Sequence, residues 1–175
     1  RGLLVSDFLN SNATPEQFLQ QLQSTISSYS AFNLLIGDGD QLHYGNSRGE
    51  SRELQPGIYG LSNAALDTSW PKVLLGKQQL FDLMTHDPLP DELFALLANR
   101  EHASENALPD TGIDSALEKQ LSARFIYMKG YGTRSSTLLY CSHTGDVQFT
   151  EKQFDDNGLE KNYYSTSFTI PVFPS

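Results

Sequence analysis

The chain opens on a dense apolar cluster, Leu3, Leu4, Val5, Phe8 and Leu9, which predicts a packed short strand or helical turn rather than a frayed end. Thr14, Pro15 and Gln17 then supply an N-cap, a first-turn proline and the far member of a capping box. Phe18, Leu19, Leu22 and Ile26 follow at helical spacing, so a helix is expected from Thr14 to about Tyr29. The runs Ala31 to Ile36 and Gln41 to Gly45 read as two strands. Gly37-Asp38-Gly39-Asp40 between them is a turn signal, and the three together make a hairpin. Asn46 to Pro56 is polar and charged, which fits a loop or an exposed strand edge, and Gly57 to Leu61 reads as another short strand.

After a loop from Asn63 to Trp70, Pro71 opens a helix carrying Val73, Leu74, Leu80, Phe81 and Met84. Gly76 inside it costs about 1 kcal/mol relative to Ala, so packing has to support that helix. A further helix is expected from about Asp91 through Leu97, a loop over 101–115, and a helical piece from Ala116 to Arg124. The tail turns to aromatic and β-branched residues, with strands predicted at Phe125 to Met128, Ser136 to His143, Val147 to Phe154 and Tyr163 to Val172. Hairpins at both ends with helices between them give an α+β fold, antiparallel sheet against helices, in a single domain over 1–175.

Composition narrows the function classes. The 175 residues suit one domain with a substantial core. With 21 acidic residues against 12 Lys and Arg and a net charge of −9, a nucleic-acid partner is not expected, since phosphate binding needs clustered cations. No apolar run approaches the roughly 20 residues of a membrane span, and the expected location is the cytoplasm. One cysteine rules out an internal disulfide framework and a cysteine-rich zinc site. The four histidines show no ligand spacing, and phosphate-loop, dinucleotide, zincin and nucleophile-elbow motifs are absent, so neither metal nor cofactor is expected. Cys141 lies inside a predicted strand and reads as a small core hydrophobe, with only His143 nearby to activate it. The pairs Asp38/Asp40 and Asp155/Asp156 fall in turns and read as solvated turn residues.

Two segments carry candidate chemistry. The first, Tyr59 to Val73, places Asn63 where a predicted strand ends, and an amide there can donate to an oxyanion or orient an amide substrate; a turn-forming Asn is the plainer alternative. The second, Gly130 to Thr137, sets Arg134 beside two glycines that allow close backbone approach. That guanidinium could hold a carboxylate or lower the pKa of a nucleophile, or simply form a surface salt bridge.

These segments resemble the NRDE family, named for an Asn-Arg-Asp-Glu motif. Four blocks carry the resemblance in the family's order: Arg1-Gly2 through Asp7-Phe8-Leu9, Phe32-Asn33-Leu34-Leu35 with its hairpin, Gly60-Leu61-Ser62-Asn63 through Trp70-Pro71-Lys72-Val73, and Tyr131 through Thr137. The resemblance implies an N-terminal-nucleophile hydrolase-like fold, an αββα sandwich. In related acylases a cysteine at the mature N-terminus attacks an amide, with its own α-amine as base. The sequence departs from that pattern in having neither the Asn-Arg-Asp-Glu motif nor a cysteine near its start. The expectation is therefore a sandwich incomplete at the N-terminus, inactive by itself. Its open sheet edges would pair with another chain, giving a homodimer, or leave it less stable.

By motif position the resemblance assigns Asn63 as donor to the oxyanion or substrate amide and Arg134 as charge partner of the nucleophile. Tyr59, Ser62 and Thr133 are the lining residues. The ligand implied is a small molecule. Three functions compete: hydrolysis of a non-peptide C–N bond by the full-length protein; non-catalytic carriage of an apolar metabolite such as haem or acyl-CoA, which members of the family have been linked to handling; and a structural or scaffold role with a relic site.

Overall fold

In the computed structural model, which describes residues 2–38 and 41–170, the N-terminal apolar cluster forms a helix, α1 (Gly2–Leu9), that buries Leu4 and leaves Leu3, Val5 and Leu9 exposed. Helix α2 (Pro15–Leu22) begins as its residues dictate: Thr14 Oγ1 accepts from the Gln17 N–H at 3.2 Å, and Gln17 Oε1 accepts from the Thr14 N–H at 3.1 Å. It stops about one turn before the last stripe residue, Ile26. Ser24 and Thr25 donate their hydroxyls to the carbonyls of Gln21 and Leu22, ending the ladder, and Ile26–Ser28 continues only as a 3₁₀ turn.

Strands β1 (Asn33–Gly37), β2 (Leu42–Asn46) and β3 (Ser51–Glu53) form an antiparallel sheet in that order, with Leu35 opposite Tyr44 and Tyr44 opposite Arg52. The expected hairpin is present, β3 is the exposed edge, and Gly39 and Asp40 of its turn lie outside the described residues. Leu4, Leu19, Leu22, Leu34 and Ile36 make the core, flanked by Phe8 and Phe18 in edge-to-face contact at 5.2 Å. Gly45 is what lets α2 lie against β2, since a Cβ there would stand 2.6 Å from Leu19 Cδ2.

Gly57 to Leu61 is not a strand, contrary to expectation. Gly60 gives both its backbone groups to Asp67: its N–H donates to Asp67 Oδ1 and its carbonyl accepts from the Asp67 N–H, each at 2.8 Å. A ladder partner would have nothing left to bond.

Residues 1–68 form one compact unit and residues 69–175 another. In the second, α3 (Pro71–Leu83), α4 (Pro90–Leu97) and α5 (Ser115–Leu121) precede a two-stranded hairpin, β4 (Tyr127–Met128) with β5 (Tyr131–Gly132). A three-stranded antiparallel sheet follows: β6 (Ser135–Cys141), β7 (Asp146–Phe154) and β8 (Glu160–Thr169). The α+β class and the antiparallel pairing are thus as expected. Strand β5 was not foreseen, the last helix stops at Leu121 rather than Arg124, and Pro171 and Val172 of the final predicted strand lie outside the described residues.

Three cations knit this unit together, and each ends on a backbone carbonyl. Lys72 Nζ donates to Leu121 O at 2.8 Å, joining the start of α3 to the last turn of α5, while the ammonium lies 5.7 Å from the Trp70 ring. Burial lowers the Lys72 pKa, and the Glu118 carboxylate partly offsets that. Arg124 Nε donates to Leu96 O at 3.0 Å and Nη2 bonds Gln79, so one side chain ties α3 to α4. Its Nη1 is buried without a partner among the described residues and lies 3.2 Å from where a Gly76 Cβ would be. The glycine that weakens α3 is therefore the space the guanidinium occupies. Arg100 donates to Gly158 O at 2.9 Å with its guanidinium 4.6 Å from the Phe125 ring.

Cys141 departs from its expected place. It is exposed at the end of β6, in register with Val147, on the sheet face opposite Ser136, Leu138 and Lys152. Lys152 is the residue that meets α4, lying 4.7 Å from the Phe94 ring and 3.7 Å from Asp91. The thiol is on the other face.

Replacing Gly45 with Ala is expected to destabilise the protein by about 1–3 kcal/mol, because Leu19 is buried and has no room to retreat. Urea denaturation with the m-value unchanged would show it; an unaltered midpoint would contradict the close approach.

Candidate functional site

Tyr44 organises the first unit's loops. Its side chain is fully buried, and its hydroxyl makes three hydrogen bonds: it donates to Asn33 Oδ1 at 2.7 Å and accepts from Asn46 Nδ2 at 2.9 Å and from the Leu66 N–H at 3.1 Å. Asn33 Nδ2 reaches on to the carbonyls of Ala64 at 2.9 Å and Ser62 at 3.5 Å. Asn46 accepts the N–H groups of Arg48 and Glu50 at 2.9 and 3.2 Å and donates to Glu50 Oε2 at 3.0 Å, which shapes the β2–β3 turn. Asp67, at φ +59, closes the loop from Gly60 as a compact surface loop.

A cavity of about 270 Å³ opens where this loop, the entry to β1 and the β2–β3 turn converge. Six of its ten lining residues are polar or charged: Asn33, Asn46, Ser47, Arg48, Ser62 and Asn63. Among the described residues the Asn63 carboxamide makes no hydrogen bond, and its φ is not positive. It therefore does none of the work of a turn-forming Asn, which bonds nearby backbone or adopts the left-handed region. Asn63 is exposed in a bend of the loop, so both amide hydrogens remain open to solvent or to a ligand.

The other expected residues are elsewhere. Tyr59 does not line this cavity; its hydroxyl donates to Gln55 O at 2.7 Å. Thr133 and Arg134 belong to the second unit and line a separate cavity of about 450 Å³ with Tyr131, Asp155 and Asp156. Thr133 clasps Ile126, accepting its N–H at 2.9 Å through Oγ1 and giving its own N–H to Ile126 O at 2.8 Å. A Cβ on Gly132 would come 2.9 Å from that same carbonyl, the expected close approach, whereas Gly130, at φ +79, has open space where its Cβ would be. Arg134 is 69% exposed and pairs through Nη1 with Asp156, itself 93% exposed, a pair worth at most about 1 kcal/mol. The structure thus groups Ser62 with Asn63 and Thr133 with Arg134.

Sequence reading missed Asn33, Tyr44, Asn46 and Arg48. Asn33 carried a signal, a carboxamide interrupting an otherwise apolar strand, whereas Arg48 had none in a polar loop. Among the described residues no group of three His, Cys, Asp or Glu is placed to hold a metal, and no helix is long and apolar enough to cross a membrane.

The fold and this cavity define a mixed α+β protein with a polar cavity whose loop is fastened to a sheet by the side chains of Asn33, Tyr44 and Asn46. The family described as Transport and Golgi organisation 2 matches residues 1–156, and the chain belongs to it, in agreement with the NRDE resemblance of its motifs. It is similar to the human Transport and Golgi organization protein 2 homolog, at 34% identity over 175 residues covering 91% of this chain and 63% of that protein. The bovine homolog is 34% identical, with 87% and 61% covered, and the mouse homolog 33% identical, with 97% and 68% covered. The chain spans about three-fifths to two-thirds of these relatives' length.

Tyr44→Phe is expected to cost about 1–3 kcal/mol, because Asn33 Oδ1 and the Leu66 N–H lose a buried partner. Faster hydrogen exchange at Leu66, with the α2 amides unaffected, would place the loss at the loop. In the second cavity Asp155 receives the N–H groups of Leu159 and Asn157, and these bonds hold its pKa below 3.8. A depressed carboxylate contributes stability that is complete above the unfolded value and lost as pH falls through the folded one. A carboxyl NMR titration should accordingly give Asp155 a midpoint below 3.8, and one at or above it would contradict the two bonds.

Proposed function

We propose that in the whole protein the cavity beside Asn63 holds an amide, and that the protein hydrolyses a non-peptide C–N bond within an N-terminal-nucleophile hydrolase-like αββα sandwich. The observation that carries this reading is the unpaired Asn63 carboxamide at a polar cavity, on a loop fixed by Tyr44 and Asn33. Asn63 Nδ2 donates to the oxyanion formed when a thiolate attacks the substrate carbonyl, and that charge exists only in the transition state and the tetrahedral intermediate. The thiol proton passes through the α-amine of the nucleophile to the departing amine, and water then cleaves the thioester. Ser62 lines the same cavity as a second polar contact. Arg134, in the second unit's own cavity, keeps the anion-partner role its motif implies, and its weak exposed pair with Asp156 is readily exchanged. Carriage of haem or acyl-CoA calls for apolar walls, and the polar lining favours the hydrolase.

The test is turnover of a panel of N-acyl amides by the whole protein, with trapping by a cysteine-reactive acyl probe. Asn63→Ala should lower kcat about 10²–10³-fold with little change in KM, the signature of a lost oxyanion donor. A protein that turns over no amide and develops a Soret band with haem would instead be a carrier.

A further inference from the structure

The cavity beside Asn63 holds a second unpaired donor. Arg48 stands in the turn between β2 and β3, where its backbone N–H is fixed to Asn46 Oδ1 at 2.9 Å. Among the described residues its guanidinium makes no hydrogen bond, ion pair or ring contact. The other described cation of this unit, Arg52, lies 3.6 Å from Glu50. Among the described residues no acid lines the cavity. Glu50, two residues on, is engaged by Asn46 at 3.0 Å and by Arg52. In a chain of net charge −9, a cavity lined by a free guanidinium and no carboxylate is electrostatically set for an anion. The Ser47 hydroxyl, which accepts from the Phe32 N–H at 3.2 Å, keeps its own hydrogen to give. Arg48, Ser47 and Asn63 thus offer donors around one space that holds no competing acceptor charge.

We propose that Arg48 recognises an oxyanion, a carboxylate or a phosphate, on the small molecule bound beside Asn63, and so selects ligands that carry such a group close to an amide. At about 270 Å³ the cavity falls below the roughly 300–1,000 Å³ of sites that enclose a drug-sized ligand. It admits an anionic head and the adjoining amide, and leaves the body of a larger ligand outside. The inference takes its location from the function proposed above, but its test reads binding and not turnover.

The experiment follows backbone amide shifts of residues 46–48 and 62–65 in the intact protein, titrated with N-acetylglycine, its neutral amide N-acetylglycinamide, and inorganic phosphate. N-acetylglycine should shift both segments and bind about tenfold more tightly than its neutral amide, with Arg48→Gln erasing that difference and Arg48→Lys keeping part of it. Arg48 is exposed, so the variants should keep the wild-type melting temperature. Saturable phosphate binding sensitive to Arg48 would assign the site to phosphate-bearing ligands, and its absence to carboxylates. Equal affinity for the neutral amide, no effect of Arg48→Gln, or no shift with either anion would overturn the proposal. Anion binding lost in Arg48→Gln, in a protein that cleaves no amide, would leave this inference standing and remove the hydrolase.

Discussion

One buried phenol oxygen decides where the first unit's loops lie. Tyr44 has no exposed surface, so its hydroxyl must find partners inside, and the ones it finds are the side chains that begin β1 and end β2 and the backbone of Leu66. A buried hydroxyl left with fewer partners would cost the fold more than the loop's own contacts return. The position of the loop is therefore set by the interior of the sheet, and the cavity at its tip is a consequence of that satisfaction. Asn33 and Asn46 extend the same logic outward, one to the carbonyls of Ser62 and Ala64, the other to the turn that carries Arg48.

The second unit relies on the opposite arrangement, cations reaching carbonyl oxygens. Lys72, Arg124 and Arg100 all end on backbone acceptors and not on any of the abundant acids. A carbonyl at a helix or turn end cannot move away, whereas an exposed acid pairs weakly, as Arg134 and Asp156 do. Three scarce positive charges are thus used as joints between elements. The Trp70-Pro71-Lys72-Val73 block owes its residue types to one such joint: Pro71 starts α3, Val73 enters the core, and Lys72 bridges to α5.

Much of the fold was legible because it is written locally. The α2 capping box, the proline start of α3 and the β1–β2 strand pairing all lie within a few residues of sequence, and each forms as read. Misreadings arose where a distant or side-chain partner took the backbone groups: Asp67 claimed Gly60, and Ser24 and Thr25 ended α2. Of the candidate site, Asn63 and Ser62 could be picked out by their motif. Tyr44 and Asn46 could not, because their roles come from meeting Asn33 across neighbouring strands, and a single sequence does not display which side chains converge. Gly76 stood out as a glycine inside α3, but the guanidinium that fills the space beside it, 48 residues away, was not visible.

The fastening of the Gly60 to Asp67 loop also bears on how the protein can change over time. Among the described residues, the bonds that close the loop run through backbone atoms or through the side chains of Asn33, Tyr44, Asp67 and Thr68, and none uses the side chains of Ser62, Asn63, Ala64 or Ala65. Residues at the tip can be exchanged without unfastening the loop, so the rim of the cavity can drift while the frame stays put. Descendants of one ancestral chain can in this way vary that rim at little cost in folding, each keeping the same tyrosine beneath it.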